Sequence, residues 1–228
     1  MSKLQQRLDA VWETPDFDSF FKELIKRPVR KIKKGDTLFY QGDETSKLTY
    51  IKSGFVKLFQ TAEDGREPVV YLYGPPTILG LRALTSKDHT YWHSSEALTD
   101  CEIISVPVEE YKTILANHPE YIVDLLYLFI QRLNYTERRL YGFITAETTT
   151  RVAAFLYDCA LRFGEKNGQK ISIPVPLTHQ LISEFVGAAR ESVTISLNKL
   201  VKEGIVAHTR GSVIVLNFPK LEIHAGIS

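Results

Sequence analysis

Arg190 and Glu191 are adjacent, oppositely charged residues at the start of a helical stretch, and the chemistry they suit is base readout in a DNA major groove. Arginine offers donors to guanine O6 and N7, and glutamate accepts from cytosine N4. Two neighbouring charges mean little alone; their setting gives them meaning. Leu181, Ile182, Phe185 and Val186 give one helix an apolar face; Val193, Leu197 and Leu200 do the same for the helix carrying Arg190. Gly187 stands between them, where a sharp corner calls for positive φ. Ala188, Arg190, Glu191, Thr194, Asn198 and Lys202 are left facing outward. Thr178 is placed to cap the first helix and to donate to a phosphate. Gly204 closes the second helix, and the strand-like runs 205–209 and 212–217 are joined by Arg210-Gly211. Helix, tight turn, helix and hairpin make a winged helix-turn-helix. Its predicted DNA-contacting residues are Thr178, His179, Gln180, Ala188, Arg190, Glu191, Ser192, Thr194, Asn198, Lys199 and Arg210. Between Leu177 and Gly211 four basic residues face three acidic ones, a modest surplus that binding as a dimer would double.

A pair of such readers needs a device to hold it. Pro119 suits the first turn of a long helix, which tolerates its missing N–H. Along that helix Ile122, Leu126, Phe129, Leu133, Thr136, Leu140 and Phe143 are spaced 4, 3, 4, 3, 4, 3, and all but Thr136 are apolar. This is a heptad seam, suited to pairing with a second copy. Tyr121, Leu125, Leu128 and Tyr135 form a second apolar stripe, so one face can pack on the chain's own domain while the other meets a partner helix.

Upstream, residues 35–107 are punctuated by glycine, with short β-type runs at 37–40, 48–52, 55–60, 69–73 and 101–106. Asp64-Gly65 between two of them is a hairpin signal. Closely spaced short strands predict an antiparallel barrel or roll. Residues 1–30 look helical, with Phe17, Phe20, Phe21 and Leu24 at helical spacing, and the basic run 26–34 reads as a solvated edge.

Composition narrows the function class. The 228 residues carry 28 Lys and Arg against 27 Asp and Glu, so no global charge attracts a polyanion. Cys101 and Cys159 are too few for a disulfide scaffold, a four-cysteine zinc site or an all-cysteine iron–sulfur cluster. No bilayer-spanning stretch or signal peptide is legible, so the expected location is the cytoplasm, with no membrane partner. No nucleophile elbow, Walker loop, dinucleotide fingerprint or HExxH motif appears, so neither an enzyme nor a metal site is expected.

The chain resembles the cyclic-AMP receptor / fumarate-nitrate regulator (CRP/FNR) transcription factors. The roll signature runs from Lys34-Gly35-Asp36 through Phe39, Gln41-Gly42-Asp43, Tyr50-Ile51, Gly54, Val56-Lys57 and Asp64-Gly65-Arg66-Glu67. The reader signature is Leu177-Thr178-His179-Gln180, Gly187 and Arg190-Glu191-Ser192-Val193. The resemblance implies an α+β chain in three parts. These are an N-terminal helix and antiparallel, jelly-roll-like β-roll of the cyclic-nucleotide-binding type (1–117), a long dimerisation helix (118–145) and a C-terminal winged helix-turn-helix (146–228). It implies a homodimer on double-stranded DNA, with RNA polymerase as a further partner.

Departures from the family bear on the effector. Leu81 occupies the position of a ribose-binding Glu, and Tyr91-Trp92 the position of a phosphate-binding Arg-Ser pair, so no cyclic nucleotide is expected. The run 79–85 with Tyr91-Trp92-His93 is similar to the cyanobacterial nitrogen regulators that sense 2-oxoglutarate, as is Arg132 followed by Thr136-Glu137. That similarity marks Leu79, Gly80, Leu81, Arg82, Tyr91, Trp92, Arg132, Thr136 and Glu137 as candidate effector residues for a small organic acid. Thr90 stands where that branch has a second arginine, and a regulator without a ligand is an equal alternative. Ile195 replaces a frequent family arginine on the reader, which keeps a second function open: a metabolite-sensing or protein-docking dimer with weak or lost DNA reading.

Overall fold

The computed structural model of the chain describes residues 27–84, 90–209 and 211–227. The expected N-terminal helix, His89 and Arg210 lie outside the described residues. The chain divides into two compact units, one ending at Asn134 and one beginning at Tyr135, so the division falls within the long helix.

The first unit is built from β-branched and aromatic runs too short to bury themselves singly, so they pair into two sheets. One has the order β1 (Arg30–Ile32), β8 (Cys101–Pro107), β3 (Lys47–Ser53), β6 (Thr77–Leu79). The other runs β2 (Thr37–Phe39), β7 (Ser94–Ala97), β4 (Val56–Phe59), β5 (Val69–Tyr73). Every pairing is antiparallel, which gives the jelly-roll-like architecture. The β4–β5 hairpin turns at Asp64-Gly65 as its sequence predicts; the Asp64 carboxylate accepts from the Arg66 backbone N–H at 3.1 Å. The basic run holds an unexpected edge strand: Arg30 and Lys31 of β1 stay exposed and Ile32 is buried.

Helix α1 (Val108–Asn117) follows β8, and the long helix α2 (Glu120–Thr145) follows Pro119. The first turns of α2 carry one stripe inward. Tyr121 and Leu125 are buried, with Leu128 partly so, in a cluster that includes Leu48, Tyr50, Ile78, Ile104 and Tyr111. The other stripe faces away from this core. Ile122, Leu126, Phe129 and Leu133 are between 42% and 58% exposed, unusual for large apolar side chains at helical spacing.

The second unit begins with the last turns of α2. Arg138 there pairs with Asp158 at 2.7 Å, and Tyr135 is buried. Helix α3 (Thr148–Phe163) packs against α4 (His179–Val186), α5 (Arg190–Lys202) and α6 (Phe218–His224). An antiparallel sheet flanks them in the order β11 (Val206–Thr209), β12 (Ser212–Val215), β10 (Lys170–Ile173), β9 (Glu165–Asn167). The wing is therefore one side of a four-stranded sheet, not a free hairpin. No helix among the described residues is long and apolar enough to cross a membrane.

Gly80, just after β6, has φ +83°, and a Cβ there would meet the Lys47 carbonyl oxygen at 2.8 Å. Gly80→Ala combines left-handed strain of about 1–2 kcal/mol with a clash against rigid backbone. A loss of at least ~2 kcal/mol is expected, read as a melting midpoint lower by roughly 4–8 °C in circular dichroism.

Candidate nucleic-acid interface

The reader is assembled by two helix ends. Thr178 caps α4: its hydroxyl oxygen accepts from the Leu181 N–H at 3.1 Å, as expected of a capping threonine. Gly187 closes α4 in the left-handed region at φ +61°, with the rim of Phe143 3.0 Å from where its Cβ would be. This corner sets α5 across α4. Ala189 begins α5 with no side-chain cap, so the first-turn N–H groups of α5 are not spent on a neighbouring side chain. Such N–H groups, at the positive end of the helix dipole, suit a phosphate oxygen.

Arg190 and Glu191 in that first turn are exposed, and neither side chain is bonded among the described residues. Asn198, Lys199 and Lys202 are exposed on the same helix. Val193, Ser196, Leu197 and Leu200 are buried and fix its orientation. Gln180 is exposed and donates to Glu184 at 2.7 Å.

Three predicted contacts are placed differently from expectation. Ala188 and Ser192 are half-buried. Thr194, read from the sequence as outward-facing, is also half-buried, and its hydroxyl donates to the Arg190 carbonyl at 3.0 Å. The same oxygen lies 2.8 Å from His179 Nδ1, so His179 is the donor there, a tautomer assigned from the network. Both side chains are occupied in joining α4 to α5. The reason is the i, i+4 back-bond that a threonine makes within a helix, which turns its oxygen inward.

A residue the sequence reading missed completes this cluster. His208, on β11, brings Nδ1 within 3.5 Å of His179 Nε2, with ring centroids 4.8 Å apart. It ties the wing to the reader. The only available signal was its position opposite Val213 in the wing register, which does not reveal a contact with α4.

The effector candidates are partly brought together. Leu79 and Leu81 are each 2% exposed and belong to the core, so Leu81 presents no polar group to a ligand. The Tyr91 ring stacks on Phe39 with centroids 3.7 Å apart, and its hydroxyl donates to the Lys47 carbonyl at 3.1 Å. Burial, with Asp43 nearby, pushes that phenol up to about 12, so it stays a donor. Arg82 lies over the Trp92 ring at 3.1 Å. Arg132 donates to the Ile78 carbonyl at 3.0 Å and the Thr77 hydroxyl at 3.3 Å, and lies over Tyr73. Thr136 and Glu137 are exposed and belong to the second unit. Of the seam, Leu140 is 59% exposed and Phe143 only 38%, because Phe143 also lies against Gly187.

The histidine pair makes the second unit sensitive to acid. Burial first, and then the charge of His179, lower His208 below its usual 6.5, although the Leu177 carbonyl draws it back up. The unfolded chain therefore takes up this proton first as pH falls. The stability held by neutral His208 is complete above about pH 6.5 and is lost as pH drops below it. Asp158, pushed up to about 6 by its burial, works in the opposite sense, so the His208 contribution is read by difference: the wild type should lose more melting temperature relative to His208→Gln at pH 5.5 than at pH 7.5. His93, lowered in the same direction by burial and Arg82, leaves a residual slope.

Comparison with known proteins agrees with this geometry. Residues 29–118 match the cyclic nucleotide-binding domain family, and residues 150–223 match the Crp-like helix-turn-helix domain family. The chain is 27% identical over 196 residues to the global nitrogen regulator of Synechocystis sp., covering 86% of this chain and 87% of that one. It is 29% identical over 188 residues to the CRP-like cAMP-activated global transcriptional regulator of Mycobacterium tuberculosis, covering 82% and 84%. Among solved structures, FixK2 from Bradyrhizobium japonicum superposes with a TM-score of 0.75 at 17% identity, covering 86% and 96%. A CRP/FNR family regulator from Thermus thermophilus does so with 0.69 at 25% identity, covering 87% and 98%. With a sensor-type β-roll followed by a winged reader, both matched in sequence and fold, the chain belongs to the CRP/FNR family of transcription regulators.

Proposed function

We propose that this chain acts in the cytoplasm as a homodimer that binds a pseudo-palindromic DNA site and regulates transcription there, with RNA polymerase as the machinery it influences. One observation carries the reading: Arg190 and Glu191 stand exposed in the uncapped first turn of α5, with neither side chain bonded among the described residues. Leaving two charged side chains uncommitted at a helix start, on a helix otherwise anchored by four buried residues, suits recognition of base edges and phosphates. The dimer reading is supported by the exposed stripe Ile122, Leu126, Phe129, Leu133 and Leu140 at heptad spacing. Two readers on one site double the phosphate contacts, which offsets the small basic surplus of each.

The effector we infer is not a cyclic nucleotide. Leu81 is buried in the core, Tyr91 is held by Phe39 and Lys47, and neither offers the charge-assisted bonds that a cyclic phosphate and its ribose need. A small organic acid is the better match, with Arg82 and Arg132 as its cationic partners. Titration calorimetry should give no heat with cyclic AMP; heat at micromolar affinity would overturn this.

Selection from randomised DNA, with and without small dicarboxylates, tests the main reading and should enrich a palindrome whose half-sites lie about 34 Å apart. Arg190→Ala should cost roughly 1–3 kcal/mol and relax preference at one base pair per half-site. Equal weakening on every sequence would make Arg190 a phosphate contact instead. Leu133→Glu should sediment as a monomer and bind the palindrome roughly a hundredfold more weakly, since the second reader is no longer tethered. A flat salt dependence of binding would favour the second reading, a sensing or docking dimer without DNA recognition.

A further inference from the structure

The outward face of α5 has an apolar centre. Glu191, Ile195, Asn198 and Lys202 follow one another at intervals of 4, 3 and 4, and so share one face of the helix. That face lies opposite Val193, Ser196, Leu197 and Leu200, which are buried. All four outward residues are exposed, and Ile195 is 70% exposed, so no core accounts for its branched apolar shape. A β-branched residue on a solvent-facing helix position gains nothing in helix propensity. Thr194, the neighbour that could have offered a hydroxyl to a base, is withdrawn by its bonds to Arg190 and His179. What remains beside the charges at the front of α5 is therefore a branched hydrocarbon surface.

The groove contains one kind of apolar group to match it. Apart from ring C–H positions such as cytosine C5–H, the base edges in the major groove present hydrogen-bond donors and acceptors, and the 5-methyl group of thymine is the one protruding apolar group. An isoleucine placed over a cytosine, guanine or adenine edge would cover polar atoms with hydrocarbon, which costs free energy because their water is removed without replacement. Over a thymine methyl both partners lose water-exposed apolar surface, which is favourable. Ile195 lies one helical turn beyond Glu191. With about 5.4 Å per turn against a base rise of ~3.4 Å, its base pair falls roughly one to two steps from the pair that Glu191 meets.

We propose that Ile195 is a specificity-determining residue that reads the 5-methyl group of one thymine in each half-site. This rests on the DNA-binding reading above and assigns to that interface a preference that charge alone does not provide. Arginine and glutamate choose among hydrogen-bond patterns; Ile195 adds discrimination by hydrophobic contact and rejects a guanine–cytosine pair at its step. The consensus should therefore carry a fixed T·A pair near the base contacted by Glu191.

The test uses the full chain and the operator obtained by selection from randomised DNA. Each thymine of the half-site is replaced in turn by uracil, which removes the methyl group and leaves every hydrogen-bonding atom in place. One thymine per half-site should be sensitive, with affinity falling about fourfold for a single half-site and about fifteenfold for both. Ile195→Ala should bind the unmodified operator more weakly by a similar factor and lose sensitivity to uracil at that one position. Ile195→Arg should select guanine there, because arginine supplies donors to O6 and N7. Circular dichroism and gel filtration of both variants confirm that the fold is retained. The proposal is overturned if uracil at every thymine leaves wild-type affinity unchanged, or if Ile195→Ala keeps the full uracil penalty. Failure of the wild type to enrich any palindrome would sink the DNA-binding reading itself, and Ile195 readout with it; enrichment without a uracil effect sinks only the latter.

Discussion

The constraint on which everything else turns is a single helix with two apolar sides. Twenty-six residues of α2 span roughly 39 Å, too long for any one core to cover. Its sequence resolves this by alternating two stripes. Tyr121, Leu125 and Leu128 go into the core of the β-roll, and Tyr135 into the unit that carries the reader. The remaining apolar positions stay at the surface, and burying them is the driving force we assign to pairing with a second copy.

Within the reader, precision comes from small polar devices that act together. The Thr178 cap and the left-handed Gly187 define where α4 starts and stops, and so the angle at which α5 leaves. The link from His179 to Thr194 and the approach of His208 then hold helix, helix and wing in one arrangement. These groups are spent on positioning, which separates them from Arg190, Glu191, Ile195 and Asn198, whose side chains are exposed on α5.

In the β-roll, too, side chains are occupied by the fold itself. Tyr91 bonds to backbone and stacks on Phe39, and Leu81 fills the core. Two guanidiniums of the roll and its helix each lie over an aromatic ring, Arg82 over Trp92 and Arg132 over Tyr73.

Residue types and spacing alone determined a great deal here. The heptad seam, the hairpin at Asp64-Gly65, the cap at Thr178, the corner at Gly187 and the pair of helices around it were legible, because periodicity and turn chemistry are local properties. Four strands were not. Arg30–Ile32, Thr77–Leu79, Ser94–Ala97 and Glu165–Asn167 are three or four residues long, and most are polar; they are strands because neighbouring strands supply their hydrogen bonds. Only the tertiary structure decided that Thr194 and His179 bond to each other, that His208 joins them from the wing, and that Tyr91 stacks on Phe39. Each of these depends on which side chain fills a given space, and that is settled by residues far apart in the chain meeting across a core.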